Sequence, residues 1–325
     1  MTARPAMPPE RPRERSMVPR AEPQSYYGQP LLKEPVWTPE IPLYFYTGGL
    51  AGASAGLALL AEARGNHELA RRAWINAFAG VSASPLLLIS DLGVPSRFLH
   101  MLRMFKVTSP MSVGSWILAA SGTATAAAAV SEITGLYPGV GRVAKVTSAL
   151  LGMPLATYTA GLVTNTAVPA WHGARFTLPF VFAGSSAASA GAAAAALTPL
   201  RHAAPARRLA VGGAVLSVGA ALAMERTLGD LGEPYKKGLS GKLARAAGAL
   251  TLVGAGIIAA RGRHSRAAAI AGSAVLTAGV ITERWAVFRA GFASARDPKY
   301  TVGPQRERIE RGETRGAVRR AQTGA

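Results

Sequence analysis

Eight stretches of about twenty residues each, nearly free of charge, leave this chain few folds to choose from: 43–61, 73–92, 112–133, 147–168, 177–199, 209–228, 244–261 and 267–288. Crossing the hydrocarbon core of a bilayer takes about 20 mostly apolar residues, and each crossing must satisfy its own backbone N–H and C=O groups where no water is present. The expected fold is therefore an all-α integral membrane protein with about eight transmembrane helices. Composition agrees: only 16% of the 325 residues are charged, against about a quarter in a soluble domain, and mean hydropathy is +0.20. Short loops predict antiparallel sequential neighbours, and an even number of crossings puts both termini on one side. Gly48, Gly52 and Gly56, spaced by four on the first helix, predict close backbone approach, and the fifth helix around 185–196 is almost entirely Ala, Ser and Gly. Two four-helix bundles are expected, over 43–175 and 176–290. They are flanked by disordered basic tails, the Pro-rich 1–42 and the polar 291–325.

Charge and cysteine content remove several function classes. The chain has 36 Lys+Arg against 17 Asp+Glu, but the basic residues are spread over tails and loops. No nucleic-acid motif or aromatic-basic platform appears. Contact with anionic lipid or an acidic partner explains the excess more simply. With no cysteine, disulfides and thiolate-held iron–sulfur clusters are excluded from this chain. His67, His100, His172, His202 and His264 all fall in loops or at helix edges, so no haem is expected, because a membrane haem needs ligands deep in its helices. There is no Walker A, HExxH, nucleophile elbow or dinucleotide fingerprint. The N-terminus lacks the apolar core of a signal peptide. Lys33, Arg289, Arg296 and Lys299 near the helix ends favour cytoplasmic termini in an inner or plasma membrane.

The segment from Pro95 to Pro110 is patterned beyond what a loop needs. Phe98, Met101, Leu102 and Phe105 recur at i, i+3, i+4 and i+7, one face of a helix, with Arg97, His100 and Arg103 on its flank. A short amphipathic helix over 96–106, lying in the bilayer interface, is expected. It places cationic and titratable groups at the depth where a lipid-soluble redox head group arrives. A histidine is the side chain best suited to exchanging protons near neutral pH, so His100 could give or take one here; the alternative is contact with lipid phosphate. Asp91 could take a proton or fix Arg97 by a charge-assisted bond, or simply cap local backbone N–H groups. Arg97 and Arg103 could hold a carbonyl or a partner carboxylate, or snorkel to phosphates. Trp37 and Trp171 read as interfacial belt residues. Glu62, Glu225 and Glu283, beside Arg64, Arg226 and Arg284, read as interface ion pairs, and with only isolated polar groups between them a proton-pumping wire is not supported.

The same residues carry a family resemblance. Asp91-Leu-Gly-x-Pro-x-Arg97-Phe, Met101-Leu102, Thr108-Ser-Pro-Met-Ser-x-Gly-Ser-Trp116, Ile41-Pro-Leu-Tyr-Phe-Tyr-Thr-Gly-Gly-Leu-Ala-Gly52, Tyr158-Thr-Ala-Gly161 and Asn165-Thr-Ala-Val-Pro-Ala-Trp171 resemble the NrfD / polysulfide reductase (PsrC-like) membrane-subunit family. From about Phe176 only the hydrophobic rhythm is similar. The resemblance implies a membrane anchor of a polysulfide reductase or formate dehydrogenase-like complex, serving anaerobic or alternative respiration and not a complete enzyme by itself. It would exchange electrons between the quinone pool, such as menaquinone, and a ferredoxin-like iron–sulfur subunit that serves a molybdopterin-type catalytic subunit. It also implies a quinone site among the first four helices. The candidates are His100 and Asp91 for proton exchange, Tyr44, Arg97, Tyr158 and Asn165 for quinone binding, and Trp37, Glu40 and Arg103 for partner docking.

Two other classes compete. A secondary transporter should show paired broken helices in its two halves, yet Pro85 and Pro154 interrupt helices two and four while Pro179 and Pro199 only end helix five. A purely structural anchor would dock the partner without a quinone site.

Overall fold

The computed structural model describes residues 31–312. The helices, in chain order, are α1 (Glu40–Ala63), α2 (His67–Asp91), α3 (Pro110–Thr134), α4 (Pro138–Thr164), α5 (Pro169–Gly173), α6 (Leu178–Leu197), α7 (Ala204–Thr227), α8 (Glu233–Lys236), α9 (Gly238–Arg261), α10 (Arg266–Arg296) and α11 (Lys299–Glu310). Local chemistry sets several of the ends. Asn66 accepts from the Leu69 amide to start α2, and Ser109 does the same for Ser112 at α3, where Pro110 occupies the first turn. Gly135, in the left-handed region at φ 73°, stops α3.

The long helices pack as two closed four-membered rings, α1–α2–α3–α4 and α6–α7–α9–α10, each helix touching the next and the last returning to the first. The rings meet where α1, α2 and α4 lie against α6, and α1 also touches α10. Small residues set the spacing. A Cβ on Gly52 would lie 2.2 Å from the Gly152 carbonyl oxygen, so α1 and α4 touch backbone to backbone. Of the predicted Gly48/Gly52/Gly56 stripe, only Gly52 makes this close approach: a Cβ on Gly48 would meet only Ser84 Oγ, at 3.9 Å, and one on Gly56 nothing within 4 Å.

Among the described residues, seven helices (α1–α4, α6, α7 and α9) are long and apolar enough to cross a bilayer. The eighth place in the packing is filled by α10. It has 31 residues, about 46 Å at 1.5 Å per residue, but Glu283, Arg284 and Arg289 break its apolar run. Arg296 Nε and Nη2 donate to both carboxylate oxygens of Glu34, at 2.6 and 3.1 Å. This clasp between residues 262 apart places the two ends of the domain on one side.

Three expectations are corrected. The tail over 291–325 is not disordered throughout: α10 continues to Arg296 and α11 follows. The N-terminal tail, drawn as 1–42, ends earlier, since α1 begins at Glu40 and Thr38 and Glu34 are already bonded to other elements; residues 1–30 lie outside the described part. The 96–106 segment is not an α-helix but a 3₁₀ turn over Pro95–Leu102. Residues beyond it are drawn onto α3, where Ser112 Oγ accepts from the Lys106 amide and donates to Met104 O, and Trp116 Nε1 donates to the same carbonyl. Phe105 therefore leaves the predicted face and packs edge-on against Trp116.

The expected ion pairs also differ. Glu62 pairs with Lys145 (2.8 Å), which also holds Glu132 (2.6 Å), tying α1, α3 and α4 at the face opposite the termini. Arg64 takes no part in this cluster, and Glu225 and Arg226 form no ion pair among the described residues. Glu283 and Arg284 do approach, at 3.9 Å, but midway along α10 rather than at an interface.

Candidate functional site

Pro85 sits inside α2, where it removes the amide that would bond the Val81 carbonyl and its ring presses on that turn. On the same stretch α2 and α3 leave a cleft of about 260 Å³ between them, lined by Phe78, Val81, Pro85 and Leu88 of α2 and by Leu118, Ala119 and Gly122 of α3. The 3₁₀ turn closes its terminus-side end with Phe98, Met101 and Leu102. Three of the four residues predicted for the apolar face thus do share a surface, turned onto this cleft. The walls are almost wholly apolar. The Ser115 hydroxyl donates to Met111 O and contacts Met101 Sδ at 3.9 Å.

Met101 and Ser115 also line a second, more open recess of about 540 Å³, which holds His100, Arg103, Lys106, Met104, Ser109 and Ser112. An apolar slot therefore continues into a basic, titratable mouth. His100 and Arg97 are exposed, and among the described residues neither makes a side-chain hydrogen bond.

The other candidates are dispersed. Asp91 does not fix Arg97. Its Oδ1 accepts from Thr38 N (2.8 Å) and Thr38 Oγ1 (2.6 Å), anchoring the entry to α1, while Gly93, Val94 and Pro95 turn Arg97 outward. Tyr44 is buried in the first bundle beside Phe45, its hydroxyl without a hydrogen-bond partner among the described residues. Tyr158 is half-buried with its ring over Gly114, where a Cβ would come within 2.1 Å of it. Neither tyrosine lines the cleft. Asn165 is exposed at the end of α4, and Glu40 lies in the first turn of α1.

Trp37 stacks on Trp171 with ring centroids 5.3 Å apart. Trp171 is no belt residue: it is fully buried, donates to Val287 O at 2.8 Å and fills the space over Gly291. The nearby surface is knit by charge. Glu233 of α8 is bonded by Lys237, Lys299 and the Tyr300 hydroxyl, and the two lysines hold its carboxyl down at about 2, well below the ordinary 4.5. A group so depressed contributes fully above pH 4.5 and loses its contribution as pH falls toward 2. Because the chain has no cysteine, a spin label on Arg308→Cys reports on α11 alone. Its spectrum should sharpen progressively as pH falls from about 4.5 toward 2, and already at neutral pH in Glu233→Gln; unchanged mobility in that variant would show that the ties do not hold α11.

Residues 25–295 match the family model NrfD_2, polysulfide reductase. The chain belongs to the NrfD polysulfide reductase family. The match runs through both bundles, so the second half, similar in sequence only by its rhythm, is part of the family domain. As an NrfD-family chain it is a multi-pass membrane subunit of an oxidoreductase complex. No curated protein matches it.

Sequence reasoning missed the cleft itself. Its signal was a proline in mid-helix opposite Ala119, Gly122 and Ala126, small residues that the sequence reading did not single out. It also missed that Glu283 and Arg284 are interior, because the last helix was ended at 288, eight residues early.

Proposed function

We propose that this NrfD-family subunit binds quinone in the α2–α3 cleft and exchanges electrons with an iron–sulfur partner on the terminus side. The observation that carries this reading is the continuity of the two spaces through Met101 and Ser115. An apolar slot for a ring and isoprenoid tail opens directly onto His100, Arg103 and Lys106. Together the spaces reach the usual size of a small-molecule site, about 300–1,000 Å³. A bound quinone supplies a two-electron, two-proton couple. His100 is placed to give or take a proton at a ring nitrogen at the mouth. Arg103 and Lys106 favour negative charge developing on an oxygen there. Phe98, Met101 and Leu102 keep water from the slot. Asp91, held by Thr38, positions the start of α1 against the end of α2, and Tyr44 and Tyr158 shape the bundle behind.

The ferredoxin-like partner, with its molybdopterin-type catalytic subunit beyond it, would dock over Trp37, Glu40 and Arg103. The membrane would be the inner or plasma membrane, with cytoplasmic termini. The test is occupancy of the slot. Ala119→Phe puts a ring into it at an overpacking cost of about 1–3 kcal/mol for a ligand that must still enter, so quinone-linked turnover of the assembled complex should fall about 10- to 100-fold. His100→Gln should lower quinone-linked turnover of the assembled complex by about 100-fold, the lower end of the usual range for loss of a positioned proton donor or acceptor. Full turnover in the first variant, with the complex intact, would leave only the anchoring role.

A further inference from the structure

The face opposite the termini carries a concentration of positive charge that the proposed redox role does not use. At the end of the second bundle, the α6–α7 loop and start of α7 bring Arg201, Arg207 and Arg208, and the α9–α10 loop brings Arg261, Arg263 and Arg266. No acid offsets them from within that bundle: the sequence has no Asp or Glu between Glu132 and Glu225, nor between Glu233 and Glu283. The nearest acids of the first bundle are already engaged, Glu68 by Arg72 and Glu62 and Glu132 by Lys145.

Part of the cluster is structural. Arg266 donates to Thr198 O, Arg207 Nη1 to Leu200 O (3.2 Å), Arg72 Nε to Leu197 O (3.0 Å) and Asn66 Nδ2 to His202 O (2.9 Å), so cationic and amide groups close the carbonyl end of α6 and lace three loops together. Arg201, Arg208, Arg261 and Arg263 are left over. Among the described residues they are exposed and donate to no carbonyl, although Arg201 Nε and Arg263 Nε each contact the ring of the neighbouring histidine, and Arg207 lies within electrostatic reach of both Arg208 and Arg263. Like charges held together by a rigid lacing call for a counter-anion. On the same end of this bundle, Leu197 in the last turn of α6 and Ile270 near the start of α10 expose about half their surface, 48% and 47%. Cations and exposed aliphatic side chains on one end match a lipid: a phosphate for the first, an acyl chain for the second.

We propose that this end of the second bundle, at Arg208, Arg261 and Arg263, binds the phosphate head group of an anionic phospholipid. The site is remote from the cleft and does not depend on its quinone role. The experiment compares thermal midpoints of the purified protein in nanodiscs of phosphatidylcholine alone and in nanodiscs containing phosphatidylglycerol. The acidic lipid should raise the midpoint by about 2–4 °C, and the Arg208→Gln/Arg261→Gln/Arg263→Gln variant should lose that rise, while Arg175→Gln on the opposite face keeps it. Equal midpoints in the two lipids, or a rise that survives in the triple variant, overturns the proposal. So does an equal rise from inorganic phosphate, which would assign the site to a free anion. Should the triple variant not fold, native mass spectrometry of the wild type must show phosphatidylglycerol retained in preference to phosphatidylcholine, and Arg208→Gln alone must reduce that retention.

Discussion

An Arg284→Leu variant should yield little folded protein. Arg284 is 1% exposed and lies midway along α10, with Nη2 donating to Phe182 O (3.3 Å), Ser185 Oγ (2.9 Å) and Ser186 Oγ (3.3 Å) and its guanidinium 3.6 Å over the Phe182 ring. Through these bonds α10 is held to α6, and Gly49 of α1 packs against the same Ser186. The change leaves Glu283 in a largely buried position without its neighbouring cation, with the Ser217 hydroxyl donating to it. Breaking a buried pair from one side costs about 3–5 kcal/mol, a large part of the about 5–15 kcal/mol that keeps a typical protein folded. Removing both charges costs far less, because the unpaired ion disappears as well. Glu283→Gln/Arg284→Met should therefore recover most of the monodisperse protein seen by size exclusion in detergent and most of the thermal midpoint. Wild-type behaviour of Arg284→Leu would mean that the guanidinium is not holding the bundles together.

Gly52→Leu should be nearly as damaging, for a different reason. The side chain would begin 2.2 Å from the Gly152 carbonyl oxygen and 3.0 Å from the Ala156 amide nitrogen, and the reciprocal substitution at Gly152 would begin 2.4 Å from the Gly52 carbonyl. The obstacle in each direction is backbone, so no rotamer change relieves it and α1 must move off α4. Overpacking of well-fitted cores costs about 1–3 kcal/mol and more where nothing can yield. Because α1 touches α2 and α4 in one ring and α6 and α10 in the other, its displacement disturbs both. Gly56→Leu is the internal control: no atom lies within 4 Å of its Cβ position, and loss of a mid-helix glycine is itself favourable by about 1 kcal/mol. The thermal midpoint should drop sharply for the first variant and hold or rise for the second. Equal effects at both positions would remove the close-contact explanation.

The helices and their grouping into two bundles were legible because a bilayer imposes one requirement that any window of the sequence can be tested against. Where a helix violates that requirement, the reading slips. The carboxyl-terminal half of α10 keeps Glu283 and Arg284 because its neighbours, rather than lipid, cover them, while Arg289 is exposed near its end, so its end and its length were misjudged. Contacts distant in sequence were not legible. Nothing near Asp91 announces Thr38, nothing near Glu62 announces Lys145, and Trp171 looks the same whether it faces lipid or Gly291. At the candidate site, the periodicity of Phe98, Met101 and Leu102 was read correctly as one surface, while the turn type was not, because Ser112 and Trp116 reach back to Met104 from the next helix. Tyr44 and Tyr158 were expected at the quinone site from the family resemblance, which marks the tyrosines without saying which space their hydroxyls adjoin.

The Glu34–Arg296 clasp has a consequence for whatever lies beyond it. It holds Glu34 and Arg296 together at one spot, like two ropes made fast to one cleat. The sequence before the one and after the other is rich in arginine, so an acidic surface that captures one side finds the other tethered close by, and two weak grips add up to a firm one.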